Sequence, residues 1–452
     1  MTAPFGGLPR IDLRPGPSGI DDGARRAWRE RCARSAGLAG EADAAAREII
    51  AAVRADGDQA VLALTQRFEG RELTAEQIEI SSDRRAAAAA RVEPSIRQAL
   101  SLAARRVREF HHTQAQQSSG LQREGERLQS RVAPLRRVAV YAPGGTAAYP
   151  SSVLMAGIPA KVAGVDEVLL LTPRASDVVL LAAELAQIDR VFEIGGAQAI
   201  AAAALGTASV PRVDKIVGPG NAYVTAAKRQ VFGLCDIDGI AGPSEILVVA
   251  DQGADPQLVA ADLISQAEHD RLACAVLVTD HPPLLDATDE ALRQQLADLP
   301  RREIATESLH EHGAAVLVAD REALRVAADQ YAPEHLELLV EDPESMAEGL
   351  RGAGAIFVGP FTPEAAGDYT AGPSHVLPTA GAARFGSPLG VWDFVKHTSV
   401  LALSDAALRE QAEAIVTLAR AERLEGHARA VERRLSASGP SASGPSASNG
   451  TV

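Results

Sequence analysis

Gln266 and His269 lie three residues apart in DLISQAEHD (262–270), so on a helix they fall on one face, one turn from each other. An amide oxygen beside an imidazole can give a divalent ion two ligands. The plainer alternative is a solvated helix face with a stray histidine, and the pair alone decides nothing. Glu334 and His335 are adjacent in YAPEHLEL, where a carboxylate and an imidazole facing one cleft can divide general acid and base work. The alternative there is a turn that happens to hold two polar groups. Asp368 and His375 stand in GPFTPEAAGDYTAGPSHVLPT, dense in Gly and Pro; loops that keep such residues on a rigid scaffold are functional candidates. Glu422 and His427 fall in the late helical stretch AERLEGHARA, where a surface histidine is the bland reading. Ser244 enters a strand in GPSEI, but no GxSxG elbow surrounds it, so a serine nucleophile is not expected. Taken together, Gln266, His269, Asp368 and His427 offer nitrogen and oxygen donors only, a set that suits Zn²⁺, Mn²⁺ or Co²⁺. With a single carboxylate such a centre keeps positive charge and can accept an amine or imidazole.

The elements that must hold these residues are legible from periodicity. RRVAVYAPGG, EVLLLTP, RVFEIGG and DKIVGPG are apolar runs, each ending in Gly or Pro before a helical stretch. SEILVVAD, CAVLVTD, AAVLVAD, HLELLV and GAIFVGP repeat the scheme. This predicts an α/β fold with two doubly wound, Rossmann-like parallel-sheet domains, an N-terminal helical segment and a C-terminal helical arm. The expected boundaries are 1–130 for the N-terminal helical region, 131–243 for the first sheet domain and 244–380 for the second. A helical arm over 381–435, suited to packing on a partner subunit, and a disordered Ser/Ala/Gly/Pro tail over 436–452 complete the chain. Within the first region, residues 1–40 read as irregular, ELTAEQIEIS as a short strand, and Asp83 to Gln117 as one long helix with His111 and His112 facing solvent. From Gly381 onward no further strand is expected. Three loops after strands are glycine-rich: PGGTAAYPSS, IGGAQAIA and VGPGNAYVTAAK. Glycines there admit a ligand to the backbone, and helix N-termini offer N–H groups to anions, so a phosphate-bearing cofactor fits; the standard dinucleotide GxGxxG is absent.

Composition narrows the class. The 452 residues are 46% hydrophobic and only 4% aromatic, so the cores are built from Ala, Val, Leu and Ile, as helices on parallel sheets require. A net charge of −14 argues against nucleic acid or an anionic membrane as the main partner. No apolar signal segment or membrane-length run occurs, and Cys32, Cys235 and Cys274 form no CxxC pair; a cytoplasmic protein with reduced, buried thiols is expected.

Seven motifs, YAPGGTAAYPSSVLM, VGPGNAYVTAAKRQVFG, IAGPSEILVVAD, LISQAEHD, YAPEHLEL, GDYTAGPSHVLPT and AERLEGH, make the chain resemble histidinol dehydrogenase from about residue 40 to 435. The resemblance implies oxidation of L-histidinol to L-histidine through bound L-histidinal with two NAD⁺, the final step of histidine biosynthesis. It implies one Zn²⁺ per subunit on Gln266, His269, Asp368 and, from the other subunit of a homodimer, His427. His335 would take the alcohol proton and Glu334 would activate water. Ser244, His375 and Glu422 would contact substrate beside Gln266, His269, His335, Asp368 and His427, and Tyr141, Gln198 and Asn221 would contact NAD. No nucleic acid or membrane partner is implied. An aldehyde step often uses a thiolate, but Cys235 and Cys274 lie outside the matched site motifs, so attack by water is expected. A relative acting on another amino or sulfonated alcohol, a zinc- or nucleotide-binding regulator, and a two-metal hydrolase are the rival readings. The hydrolase would want more carboxylates than Asp368 supplies.

Overall fold

A computed structural model of the chain describes residues 5–17, 19–34, 40–144 and 149–437. In chain order the strands are β1 (Arg10–Asp12), β2 (Ser119–Arg123), β3 (Glu126–Pro134), β4 (Arg137–Tyr141), β5 (Glu167–Leu171), β6 (Arg190–Phe192), β7 (Lys215–Val217), β8 (Asp236–Ile237), β9 (Glu245–Ala250), β10 (Cys274–Thr279), β11 (Ala314–Leu317), β12 (His335–Leu339), β13 (Ala355–Val358) and β14 (Val395–Leu403). Two compact units divide the chain, one of residues 1–115 and 134–394, the other of 116–133 and 395–452.

The first unit holds two parallel sheets, ordered β6-β5-β4-β7-β8 and β1-β11-β10-β9-β12-β13. Each is buried on both faces, and residue parity sorts the side chains. Ala139, Tyr141, Leu169 and Leu171 enter one layer of the five-stranded sheet, Val138, Val140, Val168 and Leu170 the other. In the six-stranded sheet Ile246, Val248 and Leu277 face one way, Leu247, Val249 and Val276 the other. Helix-covered parallel strands read as continuous apolar runs for this reason. In both sheets the strand order reverses around a central strand, β4 and β9, the doubly wound arrangement expected.

Four local expectations are corrected. Residues 10–12 and 22–32 form regular elements: β1 pairs with β11 in parallel, and the helix Asp22–Cys32, capped by the Asp21 side chain, buries Trp28 in a stack on Tyr331. The ELTAEQIEIS segment is a turn of helix, Ala75–Ile78, with a Thr74/Gln77 capping box, followed by one bridge from Glu79 to Phe192. The long helix is two, Ser82–Arg91 and Pro94–His112, because Pro94 cannot continue the first and suits the start of the second. His111 is fully buried, its Nδ1 2.8 Å from the Val107 carbonyl, and does not face solvent.

The second unit carries a three-stranded sheet, β14-β3-β2, with an antiparallel β2–β3 hairpin. β14 is a strand past Gly381, where none was expected. The helices Asp405–Ala421 and Glu425–Ala437 follow, turned by Arg423 in the left-handed region (φ 61°). Ser436 and Ala437 complete the last helix, and the expected tail beyond them lies outside the described residues. Among the described residues no helix is long and apolar enough to cross a membrane.

Candidate active site

His335 opens β12 and Glu334 immediately precedes it, beside Glu245, the first residue of β9, whose backbone holds both. Its N–H donates to Glu334 Oε2 (2.9 Å), and its carbonyl lies 3.0 Å from His335 Nδ1. A carbonyl only accepts, so Nδ1 carries the ring proton and Nε2 keeps its lone pair. Burial lowers the His335 pKa to about 4, so the ring is neutral at neutral pH. Glu334 is buried. Burial drives its carboxyl well above the usual range, against the Glu245 N–H bond, and the charges of Glu245, Asp368 and Glu364 add to the rise.

His335 and Glu337 share a strand face, turned toward the helices Pro256–Ala267 and Glu364–Tyr369. Glu364 and Asp368 are four apart on the second of these and so stand on one face. His335, Glu364 and Asp368 offer ligand atoms that all lie within 4.8 Å of one another. His335 Nε2 is 3.8 Å from Glu364 Oε1, while Ser265 Oγ donates to Glu364 Oε2 at 2.7 Å. His269 Nε2 is 4.0 Å from Asp368 Oδ2. His375 Nδ1 donates to the Asp368 carbonyl (3.1 Å) and lies 3.4 Å from Oδ1. Burial works against the Asp368 charge, but the bond from His375 and the imidazoles of His375, His335 and His269 hold its carboxyl below the ordinary value.

Gln266 lies three residues before His269 at the end of the helix Pro256–Ala267. It is fully buried, and neither its amide oxygen nor its amide nitrogen has a hydrogen-bond partner among the described residues. Buried polar atoms are rarely left so. A bound cation beside Asp368 would satisfy the oxygen, and the amide, imidazole and carboxylate of Gln266, His269 and Asp368 are donors that zinc accepts. The tighter trio of His335, Glu364 and Asp368 is the rival donor set. Ser265 already donates to Glu364 Oε2, and ligation by this trio would use up the free nitrogen of His335, so we favour the set containing Gln266. His269 stands just past the helix end, not on the helix face expected: Pro256–Ala267 stops at the Glu268 cap, and the His269 N–H returns to the Gln266 carbonyl (3.2 Å). Ser244 is half-buried immediately before β9.

The loop bearing His375 is tied to the first sheet's layer. Ser374 Oγ donates to the Met155 carbonyl (3.0 Å) and His375 Nε2 is 3.5 Å from Ser152 Oγ. Tyr141 ends β4, and its hydroxyl accepts the Gly196 N–H (3.1 Å). Gln198 is buried on the same helix start, where a Cβ on Gly196 would come within 2.6 Å of its Oε1. Asn221 caps the helix Ala222–Val231, its side chain accepting from Tyr223 and Val224. Gly218 (φ 111°) brings the loop after β7 against Tyr141: an added Cβ would meet the Tyr141 carbonyl oxygen at 2.2 Å. These three residues therefore occupy the carboxyl ends of β4, β6 and β7, around the point where the sheet order reverses and where ligands bind such sheets. The glycine-rich loop after β4 lies outside the described residues at 145–148.

Glu422 and His427 belong to the second unit, both exposed at the corner between its two helices; the His427 N–H donates to Leu424 (3.0 Å). Sequence reasoning overlooked Glu364, although its four-residue spacing from Asp368 was a helical signal. It also overlooked the buried pair Asp262–Glu337, whose carboxyls are both pushed up by burial, Glu337 to about 10.

Fold and site together define a two-sheet α/β enzyme. A family model described as histidinol dehydrogenase matches residues 33–435. Histidinol dehydrogenases of Aquifex aeolicus and Syntrophotalea carbinolica are 47% and 51% identical, over 87% and 86% of this chain and 92% of each relative. The crystal structure of histidinol dehydrogenase from Elizabethkingia anophelis superposes with a TM-score of 0.87 at 34% identity, covering 96% of this chain and 99% of that one. The chain belongs to the histidinol dehydrogenase family and is a dehydrogenase.

Proposed function

We propose that the protein performs the final step of histidine biosynthesis in the cytoplasm, the four-electron oxidation of L-histidinol to L-histidine through bound L-histidinal, consuming two NAD⁺ and one water. The observation that carries this reading is the group of His269, His375 and a neutral His335 around Asp368, together with the unpartnered, fully buried amide of Gln266 one turn before His269. Gln266, His269 and Asp368 would hold one Zn²⁺ per subunit, completed by His427 of a second subunit in a homodimer. When bound, zinc supplies an anchor for the amine and imidazole of the substrate, and NAD⁺ takes the hydride in each oxidation.

His335 Nε2 accepts the proton of the alcohol. In the second oxidation Glu334, in its carboxylate form, takes a proton from water as it attacks the aldehyde, with His335 assisting; burial, by raising its carboxyl, makes that carboxylate a stronger base. Ser244, His375 and, from the second subunit, Glu422 orient the substrate. Tyr141, Gln198 and Asn221 line the NAD side. Burial pushes the Cys235 and Cys274 thiols up to about 11, so neither supplies a thiolate at neutral pH, which favours water as the nucleophile. The two-metal hydrolase is also disfavoured. Of the other carboxyls only Glu364 stands beside Asp368, and Ser265 holds its Oε2, while Glu337 pairs with Asp262. Complementation tests the substrate: a histidine auxotroph lacking its own histidinol dehydrogenase should grow on L-histidinol when it carries this gene. Failure to grow with soluble, metal-loaded protein present would turn the assignment to another amino alcohol.

A further inference from the structure

The Glu245 backbone is the common support of the acid–base pair, and something must fix that residue. Its own side chain is buried and meets Arg34 in a two-pronged ion pair, Nε to Oε1 at 2.6 Å and a terminal nitrogen to Oε2 at 2.9 Å. The guanidinium lies 3.5 Å from the centre of the Tyr331 ring and donates to the Tyr331 carbonyl (2.9 Å) and the Arg31 carbonyl (2.8 Å). Glu245 Oε1 also accepts the Ala380 N–H (3.0 Å), at the end of the loop that carries His375. Arg34 comes from the N-terminal segment, over two hundred residues from Glu245. The carbonyl of Tyr331 that it grips lies three residues before Glu334 in the chain.

We propose that Arg34 and Glu245 are positioning residues for the reaction: their ion pair fixes the Glu245 backbone, from whose N–H and carbonyl Glu334 and His335 both hang. Neither side chain touches the reacting atoms. They act through the Glu245 N–H, which aims the Glu334 carboxyl, and through its carbonyl, which selects the His335 tautomer with a free Nε2. A lysine cannot replace this arginine, because it lacks the planar fork and the stack on Tyr331. The inference rests on the reading of Glu334 and His335 as the acid–base pair.

The test is steady-state kinetics of full-length, zinc-loaded wild type, Arg34→Lys, Arg34→Gln, Glu245→Gln and the Arg34→Gln/Glu245→Gln double variant, with zinc content and KM for L-histidinol measured alongside. We expect kcat to fall at least tenfold in each single variant, with KM and zinc content within twofold of wild type. The double variant, whose neutral amides can still pair, should be no slower than the slower single variant. A kcat within twofold of wild type in folded Arg34→Lys overturns the proposal. So does a parallel loss of kcat, KM and zinc, which marks a scaffold role only. If Arg34→Gln does not fold, Arg34→Lys decides alone. A wild type without turnover would instead sink the functional reading, and the two failures are thereby separate.

Discussion

Replacing Gln266 by methionine should move stability and metal affinity in opposite directions. Methionine has nearly the same length and flexibility as glutamine and suits a closed site. Both amide atoms of Gln266 are buried without partners, so the metal-free protein carries their desolvation with no return. Each such group costs about 1–3 kcal/mol, and removing both should stabilise the metal-free protein by about 2 kcal/mol or more. That corresponds to a rise of about 2–4 °C in its unfolding midpoint. Outer partners of metal ligands are worth roughly 10–100-fold in affinity, so a direct ligand belongs at the top of that range or above it. At a zinc concentration one hundred times the wild-type Kd, zinc adds about 2.7 kcal/mol to wild type; a site weakened about a hundredfold would gain only about 0.4 kcal/mol. Thermal unfolding with and without zinc, beside a zinc titration by calorimetry, reads both effects. A metal-free Gln266→Met protein less stable than wild type, or an unchanged zinc increment, would refute the argument that the amide is a waiting ligand.

Three further outcomes are expected. Glu334→Gln keeps the acceptor for the Glu245 N–H, so it should fold normally and slow the second oxidation by about 10²-fold relative to the first; rapid-quench analysis for accumulated aldehyde checks this, and equal slowing of both steps would remove Glu334 from the water step. His335 takes up its proton near pH 6.5 when unfolded but only at about 4 when folded, so the unfolded state binds more protons between these values. Stability present above pH 6.5 should therefore fall by about 3 kcal/mol as pH drops to 4, and His335→Gln should remove that share of the slope in denaturant titrations of the metal-free protein. Cys235→Ser and Cys274→Ser should each retain both oxidations; loss of the aldehyde step in either would replace water by a thiolate.

What could be read from the chain follows burial. β4, β5, β9, β10 and β12 are covered on both faces and show as unbroken apolar runs. β2 is exposed throughout and β14 only partly covered, so neither carries such a signal. β1 has three residues, too few for any period. His111 was readable, because Ala104 and Val107 precede it at helical spacing on the buried stripe. In the site, residue type and spacing singled out Gln266, His269, Glu334, His335, Asp368 and His375, and the structure sets His335, His269 and His375 beside Asp368, with Glu334 next to His335. Glu364 was hidden in a Gly/Pro-dense stretch that reads as loop but forms a helix from Glu364 to Tyr369. Glu245 read as the start of a strand, since a tie to Arg34 depends on long-range packing that no local pattern records.

The most direct measurement is the amount of NADH formed per L-histidinol by the purified protein, before and after chelation. Two NADH per histidinol, abolished by the chelator and restored by Zn²⁺, is the predicted result. One NADH per histidinol, or turnover indifferent to chelation, would contradict the account.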